Sequence, residues 1–174
     1  MYLKIASFFL VMISLFACEK KEKTTEAKVE FQETNVPLDT LGEWVKIVMN
    51  KKKDGVLRGF ELGTPLDTIK AKEKTKLLEE NTAQRYITYS FDVDEDMVDV
   101  TYRYDEKQKV KSFEVLAIVN GVESFIQDFT TYYNLRYGNA KQSNDTMQVW
   151  QSQKGYKIKL IKSNKTSQAR ILIE

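Results

Sequence analysis

The feature that most constrains the fold is a strict alternation of apolar and polar residues in the middle of the chain. Residues 98–104 place four apolar side chains on one face and polar ones on the other, the period of a half-buried strand. Residues 85–93 alternate in the same way. Residues 110–119 end in a run of consecutive apolar residues, so both faces of this segment are apolar. This pattern is typical of a strand that is central or covered on both sides. We therefore predict three neighbouring strands.

Two helices are predicted before these strands. Apolar residues at helical spacing indicate a first helix from a cap at Asp39 to about Lys52. The second has Thr64 as its N-cap, Pro65 at its first position and Asp67 as a capping carboxylate. It should run over 65–73, with a continuation to residue 78 left open.

A third helix and three more strands complete the predicted fold. The helix starts near Gly121, with Asn120 as its cap, and stops at Gly138. Strands are predicted at 147–153, 156–162 and 169–173, the first two joined by a turn at 154–155.

The order of elements predicts an α+β fold with helices packed on an antiparallel sheet. We expect two helix-plus-three-strand meander units in tandem. They form a single globular domain over 37–174, with pseudo-halves of about 37–119 and 120–174.

The composition excludes several kinds of site. The chain has no histidine and a single cysteine, Cys18. It can therefore form no intramolecular disulfide, no Cys/His metal site and no Ser/His or Cys/His catalytic pair. The net charge of +2 gives no electrostatic reason to expect nucleic acid as a partner. We expect no cofactor, no metal and no enzymatic activity.

Residues 1–17 have the pattern of an export signal. One positive charge, Lys4, precedes an uncharged apolar stretch that ends at Ala17. This stretch is shorter than the roughly 20 apolar residues of a membrane-spanning helix, which favours a signal peptide. Cys18 follows at once, and residues 19–36 are mostly charged and polar. We predict that residues 18–36 form a flexible tether.

Leu15-Phe16-Ala17-Cys18 resembles the lipobox of bacterial lipoproteins. The resemblance implies cleavage before Cys18 and acylation of Cys18, with palmitate among the fatty acids attached. Two or three acyl chains would hold the protein on a bilayer. We expect a lipid anchor in the bacterial cell envelope, at the outer membrane by analogy with known sorting rules, on either the periplasmic or the surface face.

Residues 62–69, Leu-Gly-Thr-Pro-Leu-Asp-Thr-Ile, with the meander after them, resemble the helix entry of outer-membrane assembly lipoproteins of the BamE/SmpA type. The plan of helices and meanders also resembles the β-lactamase inhibitor protein fold. Both resemblances imply a protein that acts by binding other proteins.

Three groups of charged residues are candidates for chemistry. Asp92, Asp94 and Asp96 match the opening of a calcium loop, but Met97 stands where that loop needs glycine and Arg103 where it needs glutamate. The acidic turn at 94–99 could pair carboxylates for acid/base work, although nothing in the sequence places it in an apolar cleft. Lysines at 70, 72, 74 and 76, and at 157 and 159, could form a basic patch or a solvated face.

Four aromatic residues are the candidate protein-binding side chains. We expect one helix face to be too narrow to bury all of them, and exposed Tyr and Trp are typical of protein interfaces. The residues are Tyr132, Tyr133, Tyr137 and Trp150.

These observations favour a non-enzymatic, membrane-anchored lipoprotein whose domain binds an envelope or exported protein. An inhibitor or immunity lipoprotein against an exported toxin or enzyme is one alternative. A small envelope hydrolase or ligand carrier is another, and a deep apolar pocket with convergent carboxylates would favour it.

Overall fold

The computed structural model describes residues 36–37, 40–52 and 54–174. The predicted export signal, Cys18, nearly all of the tether and the predicted cap Asp39 lie outside the described residues. Within the described ranges, residues 54–174 hold every strand and two of the three helices.

All eight strands belong to one antiparallel sheet in the order β1-β2-β3-β4-β8-β7-β6-β5. The predicted α+β class with an antiparallel sheet is confirmed at this level, and strands outnumber helices. The strands are β1 (Lys76–Asn81), β2 (Tyr86–Val93), β3 (Asp96–Tyr104), β4 (Val110–Ile118), β5 (Gln142–Ser143), β6 (Met147–Gln151), β7 (Lys157–Lys162) and β8 (Gln168–Ile173).

Strand β4 lies between β3 and β8, so the central position predicted from its apolar run is confirmed. The alternation predicted in β3 is also confirmed, because Val98, Val100, Tyr102 and Tyr104 are all buried. The residues between them are half-buried. Strand β3 therefore turns one face to the core and leaves the other partly accessible.

The three helices are α1 (Glu43–Val48), α2 (Leu66–Lys72) and α3 (Val122–Tyr137). Helix α1 is shorter than predicted because Asn50 and Lys51 adopt positive φ angles of 51° and 53°, a left-handed backbone that no α-helix continues through. At its other end, the backbone N–H of Trp44 donates to Asp128 Oδ2 at 3.1 Å. The carboxylate that caps α1 thus comes from α3.

The region after α2 corrects the prediction. Residues 76–81 form the edge strand β1 and do not extend the helix. The capping box is also wrong, because Pro65 is the N-cap and no side chain caps α2. The Thr64 hydroxyl instead bonds to the backbone of Glu61. Glu73, the residue after the helix, has an extended backbone. Its side chain forms an ion pair with Arg58, a tertiary contact that the local sequence does not predict.

Helix α3 and the strands after it lie where they were predicted. Gly138, with φ of 80°, ends α3, and Gly155, with φ of 92°, forms the turn between β6 and β7. The predicted cap at Asn120 is wrong, because Gly121 is the N-cap and the Asn120 backbone N–H donates to Asp96 Oδ1 at 2.7 Å. The two-residue strand β5 was not predicted.

Aromatic contacts join α3 and the loop before α2 to buried residues of β6 and β3. Tyr133 of α3 lies 5.2 Å from Trp150 of β6, between ring centroids. Phe60, in the loop before α2, meets Tyr102 of β3 edge-on at 5.8 Å. These side chains are all buried, and such pairs contribute about 0.5–1.5 kcal/mol each beyond the area they bury.

Candidate functional site

The second face of the sheet is the candidate binding surface. An antiparallel sheet with one face on the core normally carries polar residues on the other. In this sheet, several outward positions on β3, β4, β6, β7 and β8 are apolar and only half-buried or exposed. We call them the outer apolar patch: Met97, Leu116, Ile118, Met147, Ile161 and Leu172.

The strand register brings these residues together. Ile118 stands opposite Met97, and Leu116 stands one pair further along the same face. Arg170 lies between Leu116 and Ile161, which in turn faces Met147. With strands about 4.8 Å apart, the patch is roughly 19 Å wide across five strands. Ile118 is 37% exposed, so its side chain is available to a partner.

Ion pairs flank the outer apolar patch. The Glu114 carboxylate lies 3.5 Å from Arg103 Nη2 and 3.2 Å from Arg170 Nε. Lys159 pairs with Glu174 beside them. Apolar side chains with an arginine among them and charged groups beside them are a composition found at protein interfaces. The outer apolar patch is therefore the candidate contact surface, and its side chains lie outside the buried core.

A buried ion pair lies on the other side of the sheet. Arg58 donates from Nε and Nη2 to the two Glu73 oxygens, both at 2.8 Å, and from Nη1 to the Val48 carbonyl at 2.9 Å. The Tyr102 hydroxyl donates to Glu73 Oε2 at 2.8 Å. The Arg58 and Glu73 side chains are only 2% and 1% exposed, so neither charge depends on water for its partner.

Glu73 is held in its ionised form. Burial by itself would raise its pKa, but the hydrogen bonds and positive charge of Arg58, with the Tyr102 hydroxyl, lower that pKa from 4.5 to about 2. The backbone N–H and hydroxyl of Thr75 also donate to Glu73 Oε1. A carboxylate with this many donors and so low a pKa is a poor proton acceptor near neutral pH. Its role is therefore structural.

A cavity of about 390 Å³ opens beside this ion pair. It lies between the segment after α1 and the C-terminal end of α2. Two of the lysines predicted as a basic patch, Lys72 and Lys74, line it together with Lys52 and Arg58. A third, Lys70, pairs instead with Glu80 at 2.6 Å.

The four predicted binding aromatics are buried. Tyr132, Tyr133 and Trp150 are at most 1% exposed, and Tyr137 is 5% exposed. The expectation that one helix face cannot bury these rings is wrong, because they stack on each other along α3 and against β6. A buried ring cannot anchor a partner without rearrangement, so the candidate surface excludes them.

Arg136 is buried among these rings. Its Nη1 donates to the Tyr132 hydroxyl at 2.5 Å and its Nη2 to the Gly55 carbonyl at 2.6 Å. The guanidinium also lies 5.3 Å from the centroid of the Tyr137 ring. The Tyr133 hydroxyl is buried and finds no hydrogen-bond partner among the described residues.

This difference between neighbouring tyrosines is testable. We expect Tyr133→Phe to leave the free energy of unfolding unchanged or to raise it by up to about 1 kcal/mol, since it removes a buried hydroxyl that has no partner. Tyr132→Phe should lower it by about 2 kcal/mol, because it removes an acceptor from a charged donor. Urea unfolding measures both, and equal losses in the two variants would contradict the assignment.

The acidic residues occupy a hairpin tip and the strands beside it. Asp92 lies one residue before the end of β2, Asp96 begins β3, and Asp94 lies in the turn between them with φ of 55°. Asp99 is half-buried on β3. No group of three or more His, Cys, Asp or Glu that could hold a metal ion occurs in the described part of the chain.

Within residues 36–37, 40–52 and 54–174, no helix is long and apolar enough to cross a membrane.

Comparison with known proteins gives no further guide to function. No protein-family model, curated protein or solved structure matches this chain.

Proposed function

We propose that this chain is a non-enzymatic, membrane-anchored lipoprotein of the bacterial cell envelope, and that its domain binds a folded protein through the outer apolar patch. The observation that carries the binding role is the set of half-buried and exposed apolar side chains on a sheet face where polar residues are expected. A partner that fits would present an apolar centre with acidic groups placed to meet Arg103 and Arg170.

The anchor rests on the sequence. Cys18 follows the apolar stretch directly and is the single cysteine of the chain, so no disulfide competes for its thiol. The polar residues after it would let the domain reach a partner at some distance from the bilayer. We place the protein at the outer membrane and leave the face open.

The arrangement of Glu73 supports a role without catalysis. It is the carboxylate with the most strongly lowered pKa among the described residues, and ion pairing and hydrogen bonding account for that shift. The cavity beside it is lined mainly by polar and charged residues, unlike the mostly apolar pockets that hold drug-sized organic ligands.

We also propose that the helices form a layer on one face of the sheet and that the fold contains two tandem units. Each unit would be a helix followed by a meander, α2 with β1–β4 and α3 with β5–β8. The order of elements supports this division, and so do the Tyr133–Trp150 and Phe60–Tyr102 contacts.

Photo-crosslinking in the native cell envelope tests the binding surface. We expect a photoreactive residue at position 118 or 161 to give a discrete protein adduct, because both positions lie on the outer apolar patch. Position 135 is the matched control, since Leu135 is also apolar and is 49% exposed but lies on α3. Equal adducts from positions 118 and 135 would contradict the proposed surface.

Substitution gives the magnitude of the effect. We expect Ile118→Glu to reduce the adduct formed from position 161 by about tenfold or more, because it replaces the most exposed apolar side chain of the patch with a carboxylate that an apolar partner surface would have to desolvate. Leu135→Glu should leave that adduct unchanged. Thermal unfolding of both variants verifies that the domain stays folded, and an unchanged adduct in folded Ile118→Glu would refute the proposal.

A further inference from the structure

We propose that the cavity beside the Arg58–Glu73 pair binds a phosphate group. We call this cavity the basic cleft. The residues that line it include Asn50, Lys52, Asp54, Arg58, Lys72 and Lys74. It contains no residue of the outer apolar patch, so the inference stands independently of the protein-binding role.

The charge in the basic cleft is positive. Three lysines and one arginine line it, against the carboxylates of Asp54 and Glu73. Arg58 holds Glu73 through two hydrogen bonds, so these two charges cancel each other at close range. Three lysines then remain against one aspartate, which favours an anion.

Two of these lysines are held at the rim of the cleft. Lys74 Nζ donates to the Ala71 carbonyl at 3.3 Å. The Lys52 side chain lies along Gly59, where an added Cβ would meet Lys52 Cγ at 3.4 Å. Both lysines therefore have a contact at the cleft and lie at its rim.

Arg58 forms a fixed part of the wall of the cleft. A guanidinium has five N–H groups, and three of them bond to Glu73 and the Val48 carbonyl. The side chain is 2% exposed and yet lines the cleft, so its orientation is fixed before any ligand arrives. The ammonium groups of the three lysines are therefore the donors for an anion, since lysine binds phosphate as a point charge. A volume of about 390 Å³ is at the small end of ligand pockets.

Two sources could supply the phosphate group, a phospholipid headgroup or a soluble phosphate ester. The chemistry at the cleft is the same for both. A headgroup is relevant if the protein is anchored at a bilayer, whereas a soluble ester needs no anchor.

Binding can be measured on the full chain in an uncharged detergent. We expect inorganic phosphate, titrated at constant ionic strength, to cause saturable amide chemical-shift changes in residues 50–60 and 71–74. Lys52→Gln, Lys72→Gln and Lys74→Gln should each weaken binding about two- to fivefold, the range for exposed charges. Lys107→Gln and Lys165→Gln are matched controls, because both lysines are exposed and lie outside the cleft.

The outcomes separate the alternatives. Saturable shifts at these residues, weakened by the three cleft variants and by neither control, support the site. Non-saturating shifts, or equal weakening in the controls, overturn it. If phosphate binds, vesicles of phosphatidylglycerol are compared with vesicles of an uncharged glycolipid, which carries no phosphate. A headgroup site should show the same shifts with the first alone. Ile118→Glu should leave phosphate binding unchanged. A failure of the proposed protein binding can therefore be told apart from a failure of phosphate binding.

Discussion

Glu73→Gln should lower the free energy of unfolding by about 3 kcal/mol, because it leaves the Arg58 charge buried without its partner. The Arg58 and Glu73 side chains are 2% and 1% exposed, and breaking a buried ion pair by removing one charge costs about 3–5 kcal/mol. For a chain of this size, the midpoint of thermal unfolding should fall by about 10 °C. Urea and thermal unfolding of the full chain measure both quantities.

Two further variants identify the cause. Glu106→Gln removes a carboxylate that is 79% exposed and pairs with Arg85 at 3.0 Å, and it should cost less than about 1 kcal/mol. Adding Arg58→Met to Glu73→Gln removes the unpaired charge, so the double variant should be more stable than Glu73→Gln alone. A double variant that is less stable than either single one would show that packing, and not charge, dominates here.

The same ion pair predicts how stability depends on pH. The pKa of Glu73 is lowered from 4.5 to about 2 in the folded chain, so the folded state releases this proton more readily than the unfolded one. Its contribution to stability is then fully present above pH 4.5 and is lost as the pH falls from 4.5 towards 2. Wild type should lose more stability over this range than Glu73→Gln, which has no carboxyl group to titrate at position 73.

The sequence predicted elements best where the signal is local. The alternating residues 98–104 form part of β3, as expected. The glycine after Tyr137 ends α3, as expected. Residues 76–81 were not predicted as a strand, because Lys-Leu-Leu-Glu-Glu-Asn suits a helix as well as an edge strand. Pairing with β2 decides between the two, and that pairing depends on residues up to fourteen positions away.

The candidate surfaces were less predictable than the fold. The run at 115–119 showed that β4 is apolar on both sides, but only the register places Leu116 and Ile118 beside residues of β3 and β8. Arg58 and Glu73 are fifteen residues apart in sequence, and no periodicity relates them. The tyrosines of α3 were correctly placed on one helix, yet their burial depends on the ring of Trp150 opposite them.

Cys18→Ala should move the protein from the membrane fraction to the soluble fraction and abolish its labelling by radioactive palmitate. Cys18 is the single cysteine, so thioether lipidation has no other site in the chain. Each buried methylene contributes about 0.8 kcal/mol to membrane binding, and two or more acyl chains give stable anchoring where one gives only marginal binding. We therefore expect an almost complete change in distribution, larger than the effect of any surface substitution.

Ser14→Ala is the matched control, because it alters the apolar stretch and leaves Leu15-Phe16-Ala17-Cys18 intact. It should keep both palmitate labelling and the membrane location. Palmitate incorporated into Cys18→Ala would contradict lipidation at this residue. A wild-type protein that is labelled with palmitate but stays in the soluble fraction would instead contradict the anchoring role. Palmitate labels the protein whether the acyl chains lie in a bilayer or are buried in protein, but only the first places it in the membrane fraction.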